Sequence, residues 1–396
     1  MSVDYDVAII GAGPIGSTLA YKLSQFGVNV AIFEKKNEIG VPLQCAGIVS
    51  KKIKELNDLP EDFILNEVKG AYLHSREYDL KVQKDETEAF IIDRIAYDQY
   101  LAKKAIESGA KLFKQFKAIA IDSKKGIIKF QNKDEIKAKI IVGADGSKSF
   151  VSDLFNDEFD YFNASQYLIE TQNPEKVSKR DFVDVFAISK ILPGFIWCIP
   201  SSKNSYRIGL FSNNTYKEQK EILNEFLINN KRFKKCNVIE KYHGKIPIFN
   251  KKKKIVKDRI LLIGDAASQL KPTTGGGLII GFDTVEIAKK SIITSLESNN
   301  VGKLSDYEKK FKKKYSKELS YQIKVQQTLK ILSDNDLDYM FEKLKEKDGE
   351  KLISKYGDMD KQSVLVKEFI KRGLIFSIIP KMFFKKLIAI WNLNKN

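Results

Sequence analysis

The amino-acid sequence predicts an α/β protein with a doubly wound, discontinuous nucleotide-binding domain, an inserted antiparallel β domain and a helical C-terminal part. Three observations predict it. The apolar run Val7-Ala8-Ile9-Ile10 feeds directly into Gly11-Ala12-Gly13-Pro14-Ile15-Gly16. Two later apolar runs end in acidic turns, Ile140-Ile141-Val142-Gly143-Ala144-Asp145-Gly146 and Ile260-Leu261-Leu262-Ile263-Gly264-Asp265-Ala266-Ala267. Between them lie stretches of strand-like alternation, and from about residue 300 the chain becomes helical and lysine-rich.

Taken in order, the first strand, its G-x-G-x-x-G turn and the following helix make an ADP-binding unit. Gly11 allows the tight turn, Gly13 lets the backbone approach a pyrophosphate, and Gly16 lets helix and strand pack closely. Pro14, inside the same turn, is expected to contact the cofactor with them. The helix N-terminus offers N–H groups and a positive dipole end to the phosphates. Val28 to Phe33 reads as the second strand, closed by Glu34, which is placed to accept from the hydroxyls of an unphosphorylated ribose. Residues 60–92 read as short strands, and Asp93 to Gly109 as a helix with an apolar stripe of Ala96, Leu101, Ala105 and Ile106. Phe182 to Ile188, Phe195 to Pro200 and Tyr206 to Phe211 read as three strands of one antiparallel sheet. The nucleotide domain is thus expected over 1–60, 90–155 and 255–300, and the β-rich substrate domain over 61–89 and 156–254. A helical region follows over 301–396.

Composition narrows the function classes. With 396 residues, 43% hydrophobic and 30% charged, the chain describes an ordinary globular protein with a large core. Cys45, Cys198 and Cys236 form no C-x-x-C pair and suit a reducing interior. His74 and His243 lack a metal-ligand pattern, so no metal is expected. No signal peptide precedes the first strand, and no run of eighteen apolar residues is present to span a bilayer. A cytoplasmic protein is expected. The net charge of +17 follows in part from a composition rich in Lys, Ile and Asn. The remainder suits an acidic partner: an anionic membrane, an anionic head group or an acidic electron-transfer protein. Nucleic acid is not expected, since no recognition module is visible.

Each acidic turn puts a short carboxylate just past a buried strand, where it can meet a ligand hydroxyl; each alone is also an ordinary Asp-Gly-type turn. Together with the glycine motif, its terminal Glu34 and the helix-opening Asp93-Arg94, they resemble the FAD-binding fold shared with p-hydroxybenzoate hydroxylase. The resemblance implies an FAD-binding Rossmann-like domain in which Arg94 and Asp145 belong to the cofactor site and Asp265 holds the ribityl chain. It also implies that Gly275-Gly276-Gly277 opens a helix from Leu278 to Leu296 whose N-terminus points at the flavin pyrimidine ring. A positive helix end suits the anion that forms across N1 and the adjacent carbonyl of a reduced flavin.

Two further segments resemble the geranylgeranyl reductase family, especially the archaeal enzymes that saturate the isoprenoid chains of membrane lipids. These are Pro42-Leu43-Gln44-Cys45-Ala46-Gly47 and Pro193-Gly194-Phe195-Ile196-Trp197-Cys198-Ile199-Pro200. The chain keeps that family's cysteine, tryptophan, proline and glycines, but has Phe195 where the family has Tyr and Ile199 where it has Phe. The likeness covers roughly residues 3–295. It implies a polyprenyl glycerophospholipid as substrate, with Cys45, Ala46 and Gly47 near the flavin and Cys45 and Trp197 at the reacting double bond.

Side chains alternate along a strand, so Phe195, Trp197 and Ile199 share one face, a wall suited to a polyprenyl chain. Phe182 and Phe186 read as ordinary core, and Cys198 and Cys236 as structural. The stretch from Phe369 to Trp391 mixes apolar residues with Lys367, Lys371, Arg372, Lys381, Lys385 and Lys386, and Pro380 divides it. That pattern suits a helix lying peripherally on the anionic inner face of a membrane, or one packed on the core with a solvated basic side. No second dinucleotide motif is present, so reduced ferredoxin and a soluble reduced cofactor both remain as electron donor. A flavin-dependent aromatic monooxygenase and a non-catalytic electron-carrying flavoprotein are the competing readings.

Overall fold

Apolar runs that read as buried strands form the centre of the molecule. The computed structural model describes residues 3–378 apart from 156–159, 173–179 and 234, together with Pro380 and Phe383. Tyr5–Ile10, Val30–Glu34 and Lys133–Gly143 lie parallel in the middle of an eight-stranded sheet, with Lys111–Lys114 outside the second and Ile260–Leu262 outside the third. Such strands are apolar throughout because both faces of a parallel sheet are covered. Helix Pro14–Ser24 packs against Arg94–Glu107 and Leu278–Glu297. The second strand begins two residues later than its apolar run suggests. The Val28 N–H is spent closing the preceding helix on the Leu23 carbonyl, at 3.3 Å, after a Gly27 with φ of +77°.

A seven-stranded sheet runs in the order Cys236–Pro247, Tyr161–Thr171, Ser205–Ser212, Ile196–Pro200, Phe182–Phe186, Gly70–His74, Asp79–Gln83. It contains the three expected neighbours and is antiparallel except where Gly70–His74 pairs parallel with Phe182–Phe186. Between these two strands the chain adds Asp79–Gln83 at one edge, crosses the nucleotide domain and returns through Tyr161–Thr171 before Phe182–Phe186. Residues 60–92 divide between two sheets. Ile64–Val68 and Ala89–Ile92 join Ile48–Ser50 in a small three-stranded sheet, while the two strands between them join the large one. Alternation identifies a strand but does not say which sheet it joins.

The large sheet has an outer and an inner face. Outward, Ile196, Cys198, Ile208 and Leu210 pack with Ile222, Leu223 and Leu227 of helix Tyr216–Asn229, which opens with a capping box between Thr215 and Glu218. Phe186 lies on this side, stacked 4.3 Å from His74 and 4.8 Å from Phe226, and Phe182 meets Tyr72 at 5.0 Å, so both are core as expected. Inward, Ala71, Val183, Trp197 and Ile199 meet Val68, Ala89 and Ile91 of the small sheet.

Helices Ser305–Leu329, Asp334–Glu346, Gly349–Tyr356, Gln362–Lys371 and Leu374–Ile378 make up the C-terminal part. Phe369, Leu374, Ile378 and Phe383 are buried with Leu80, Leu337, Phe341 and Leu344. These four side chains therefore face the protein. Lys381, Lys385, Lys386 and Trp391 lie outside the described residues. Among the described residues no helix is long and apolar enough to cross a membrane.

Candidate functional site

The glycine turn is built for close approach. Gly11 has φ of +107°, and a Cβ there would stand 2.4 Å from the Ala144 carbonyl oxygen at the end of the third strand. A Cβ on Gly16 would meet the Gly11 carbonyl at 2.2 Å, whereas beside Gly13 no atom lies within 4 Å. The crowded glycines are packing requirements, and the open one leaves space beside the backbone. Pro14 is the first residue of the helix, where its missing N–H costs nothing. Glu34, only 9% exposed, accepts 2.9 Å bonds from the N–H groups of Ala12 and Lys36, so its carboxylate clasps the turn and faces it.

Asp145 is engaged within its own turn. It accepts from the Ser149 hydroxyl at 2.5 Å and the Val151 N–H at 3.2 Å, capping the short helix Phe150–Asp153. Burial pushes this carboxyl above the ordinary aspartate value. Its contribution to the site is the turn that carries Ala144 over Gly11.

Asp265 behaves differently. It follows strand Ile260–Leu262 in the tight turn Gly264–Ala267, and its carboxylate has no hydrogen-bond partner among the described residues. Burial raises its pKa, and the nearby Arg94 opposes the rise. A Cβ on Gly277 would stand 3.0 Å from Asp265 Oδ1, so the carboxylate reaches the start of helix Leu278–Glu297. The first turn of that helix leaves N–H groups without intrahelical acceptors. An unsatisfied carboxylate beside free N–H groups suits a polyhydroxylated chain and an electron-rich ring edge.

Distant glutamines brace this turn. Gln269 accepts from the Gly264 N–H at 2.9 Å, and Gln326, on the C-terminal helix Ser305–Leu329, donates to the Pro272 carbonyl at 2.7 Å. Across Gly275 and Gly276 the turn closes on itself, with the Gly275 N–H bonding the Lys271 carbonyl at 2.8 Å and the Lys271 N–H bonding that of Gly276 at 3.0 Å.

The cysteine loop enters from the other side. Arg94 is held by a bidentate bond to Asp98, with contacts of 3.0 and 3.1 Å. Burial disfavours its charge, but Asp98 and the Cys45 sulfur outweigh burial and raise its pKa. Cys45 Sγ accepts from the Gly47 N–H at 3.3 Å. Gln166 donates to the Cys45 carbonyl at 3.3 Å and accepts from the Trp197 indole N–H at 3.0 Å. Arg207, 6% exposed, donates to the carbonyls of Ala46 at 3.0 Å and Ile92 at 3.2 Å, and forms no ion pair among the described residues. Burial lowers its pKa. Two glycines make room: a Cβ on Gly209 would strike the indole at 2.5 Å, and one on Gly47, at φ of +75°, would meet the Arg207 guanidinium at 1.8 Å.

Phe195, one residue before its strand, meets Trp197 edge-on at 6.2 Å and Phe211 at 5.1 Å. Phe195 and Trp197 are partly exposed, Phe211 is buried behind them, and Ile199 is packed into the cluster between the two inner faces. Met359, from the loop after helix Gly349–Tyr356, packs on the same cluster. Gln166, Arg207, Lys271 and Met359 carry no local sequence signal that would have singled them out.

The glycine turn has open space at Gly13, and the Asp265 carboxylate reaches the start of helix Leu278–Glu297. The class of protein that holds a dinucleotide on such features is the FAD-dependent flavoenzyme. The chain belongs to the family described as FAD binding domain, whose model matches residues 4–313, and it falls among the geranylgeranyl reductases within that family. An uncharacterized protein of Methanocaldococcus jannaschii is 33% identical over 95% of this chain and 98% of its own. The digeranylgeranylglycerophospholipid reductase of the same organism is 29% identical over 97% of this chain and 98% of its own. That of Methanococcus vannielii is 30% identical over 89% and 94%. In fold, the chain matches a geranylgeranyl bacteriochlorophyll reductase-like protein of Thermoplasma acidophilum with a TM-score of 0.80 and 24% identity, over 97% of this chain and 98% of the other.

Proposed function

We propose that this chain is an FAD-dependent reductase that saturates the geranylgeranyl double bonds of digeranylgeranylglycerophospholipids. The observation that carries this reading is the wall of Phe195, Trp197 and Phe211, whose tryptophan is hydrogen-bonded through Gln166 to the cysteine loop. The likeness to reductases of that name over nearly the whole chain supports the substrate class.

Bound and reduced, FAD supplies the hydride. The chain's own residues do the rest. Asp265 accepts from the ribityl hydroxyls, and the N-terminus of helix Leu278–Glu297 stabilises negative charge on the flavin ring. The partly exposed faces of Phe195 and Trp197 receive the prenyl chain, over a packed apolar cluster that excludes water. The alkene is unactivated, so protonation runs ahead of hydride transfer, and the Trp197 face steadies the tertiary cation that develops. The proton comes from Cys45 Sγ or from a water in its loop. Two electrons per double bond come from reduced ferredoxin or a soluble reduced cofactor, and the charge of +17 favours the anionic bilayer that carries the substrate.

Mass spectrometry of digeranylgeranylglycerophospholipid incubated with purified, chemically reduced protein tests the reading. Stepwise gain of two hydrogens per double bond is expected. Unchanged lipid, with FAD bound and reoxidised by oxygen, would move the assignment to a monooxygenase or an electron carrier.

A further inference from the structure

Burying an ion pair costs desolvation that a well-packed apolar pair avoids. Lys271 and Asp360 nevertheless form one, with both side chains more than nine-tenths buried and Lys271 Nζ 2.9 Å from the carboxylate. The lysine belongs to the turn that follows Asp265, and the aspartate to the C-terminal part. Residues 357–361 leave helix Gly349–Tyr356 and are clamped against the flavin domain by two lysines. Lys52 Nζ lies 2.8 and 3.0 Å from the two carboxylate oxygens of Asp358. Asp358 also accepts from the N–H groups of Asp360 at 2.7 Å and Lys361 at 3.1 Å. Lys271 Nζ donates at 2.9 Å to the Met359 carbonyl as well as to Asp360.

The ammonium that holds this loop also lies against the glycine turn. A Cβ on Gly276 would stand 2.7 Å from Lys271 Cε and 3.2 Å from its Nζ. Gly277, the next residue, precedes helix Leu278–Glu297 and is the one that Asp265 reaches. A buried positive charge is thus fixed beside the helix start, and a carboxylate from a distant part of the chain is fixed beside that charge.

Resting on the placement of the flavin ring edge at this helix start, we propose that Lys271 and Asp360 act as an opposed pair that sets the reduction potential of bound FAD. Reduction leaves negative charge on that edge. The Lys271 ammonium favours the charged form, and in buried surroundings it does so over more than contact distance. The Asp360 carboxylate opposes it more weakly, since it meets Gly276 only through the ammonium. Lys271 is thus a positioning residue whose charge the C-terminal loop holds in place.

The test measures the midpoint potential of bound FAD by dye equilibration, on holoprotein without lipid. The parent is compared with Lys271→Met, Lys271→Arg, Asp360→Asn and the double variant Lys271→Met/Asp360→Asn, with FAD content and melting temperature checked for each. Lys271→Met is expected to weaken binding of reduced relative to oxidised FAD about tenfold, a fall of about 30 mV for the two-electron couple. Asp360→Asn should raise the potential by a smaller amount, the double variant should lie between the singles, and Lys271→Arg should stay near the parent. Looser packing alone would push both single variants the same way. Shifts of one sign, or a single variant left at the parent's potential, would therefore overturn the proposal. If Lys271→Met does not retain FAD, Asp360→Asn decides alone: a rise supports the pair, and constancy or a fall overturns it. No lipid enters these measurements, so a parent that fails to saturate lipid overturns the reductase reading and leaves the potentials to decide this one.

Discussion

The indole N–H of Trp197 and the side-chain oxygen of Gln166 are joined at 3.0 Å across an intervening strand, over the bare backbone of Gly209. The same amide donates to the Cys45 carbonyl, so the wall and the cysteine loop share one support. Gln166→Leu leaves a buried indole N–H and a carbonyl without their partner, a loss of about 1–3 kcal/mol. Peptide-resolved alkylation is expected to show Cys45 reacting several-fold faster while Cys198 stays protected. An unchanged Cys45 rate would show that the loop does not depend on this amide.

Gly47 and Arg207 are a coupled pair. Gly47→Ala puts a Cβ at positive φ where the guanidinium stands, and is expected to cost about 1–3 kcal/mol in thermal or denaturant unfolding. Because much of that is collision with Arg207, the double variant Gly47→Ala/Arg207→Gln should be more stable than the sum of the singles requires. Strict additivity would place the whole cost in the backbone.

Asp265 separates cofactor affinity from stability. Asp265→Asn removes a charge that burial disfavours more than the nearby Arg94 favours it, so the melting temperature of the flavin-free protein is expected to hold or rise. FAD affinity, measured by equilibrium dialysis, should fall roughly ten- to a hundredfold, the equivalent of about 1–3 kcal/mol. The pKa of Asp265 is raised in the fold, so its ionisation destabilises the flavin-free fold as pH climbs through and above the ordinary carboxylate range. The asparagine variant should lose that slope. A lower melting temperature for the flavin-free variant would contradict the account.

The Lys52–Asp358 clamp has a defined pH window. Asp358 is held below its ordinary value by Lys52 and by backbone N–H groups, which outweigh burial, and Lys52 is held above its own by Asp358 against the effect of burial. The acid's share is present above the unfolded carboxylate value and lost as pH falls through the lower folded one. The lysine's share is present below its unfolded value and lost as pH rises through the higher folded one. Hydrogen exchange across residues 357–361 is expected to stay slow, after correction for intrinsic rate, from about pH 4 to 10. Lys52→Met should abolish this protection.

Much of the fold was legible because its signals are local. The Gly11–Gly16 turn, the Asp93-capped helix and the strands around Trp197 each announce themselves within a few residues. The bonds of Asp145 to Ser149 and Val151 were not legible, because a short carboxylate that caps a helix and one that meets a ligand share the same sequence signature. Gln166, Arg207 and Gln326 were illegible for a different reason. Each acts on a carbonyl 54 to 161 residues away, and sheet register or helix docking, not spacing, decides which carbonyl it meets. Met359 lies beyond the region the family resemblance covered.

Asp265 sits where a strand ends and helix Leu278–Glu297 begins, so a cofactor held there bridges two elements of the fold. Bound FAD stabilises only the folded chain, by an amount that grows with the free flavin concentration. The melting temperature of the protein is thus set as much by the flavin it is given as by its own sequence.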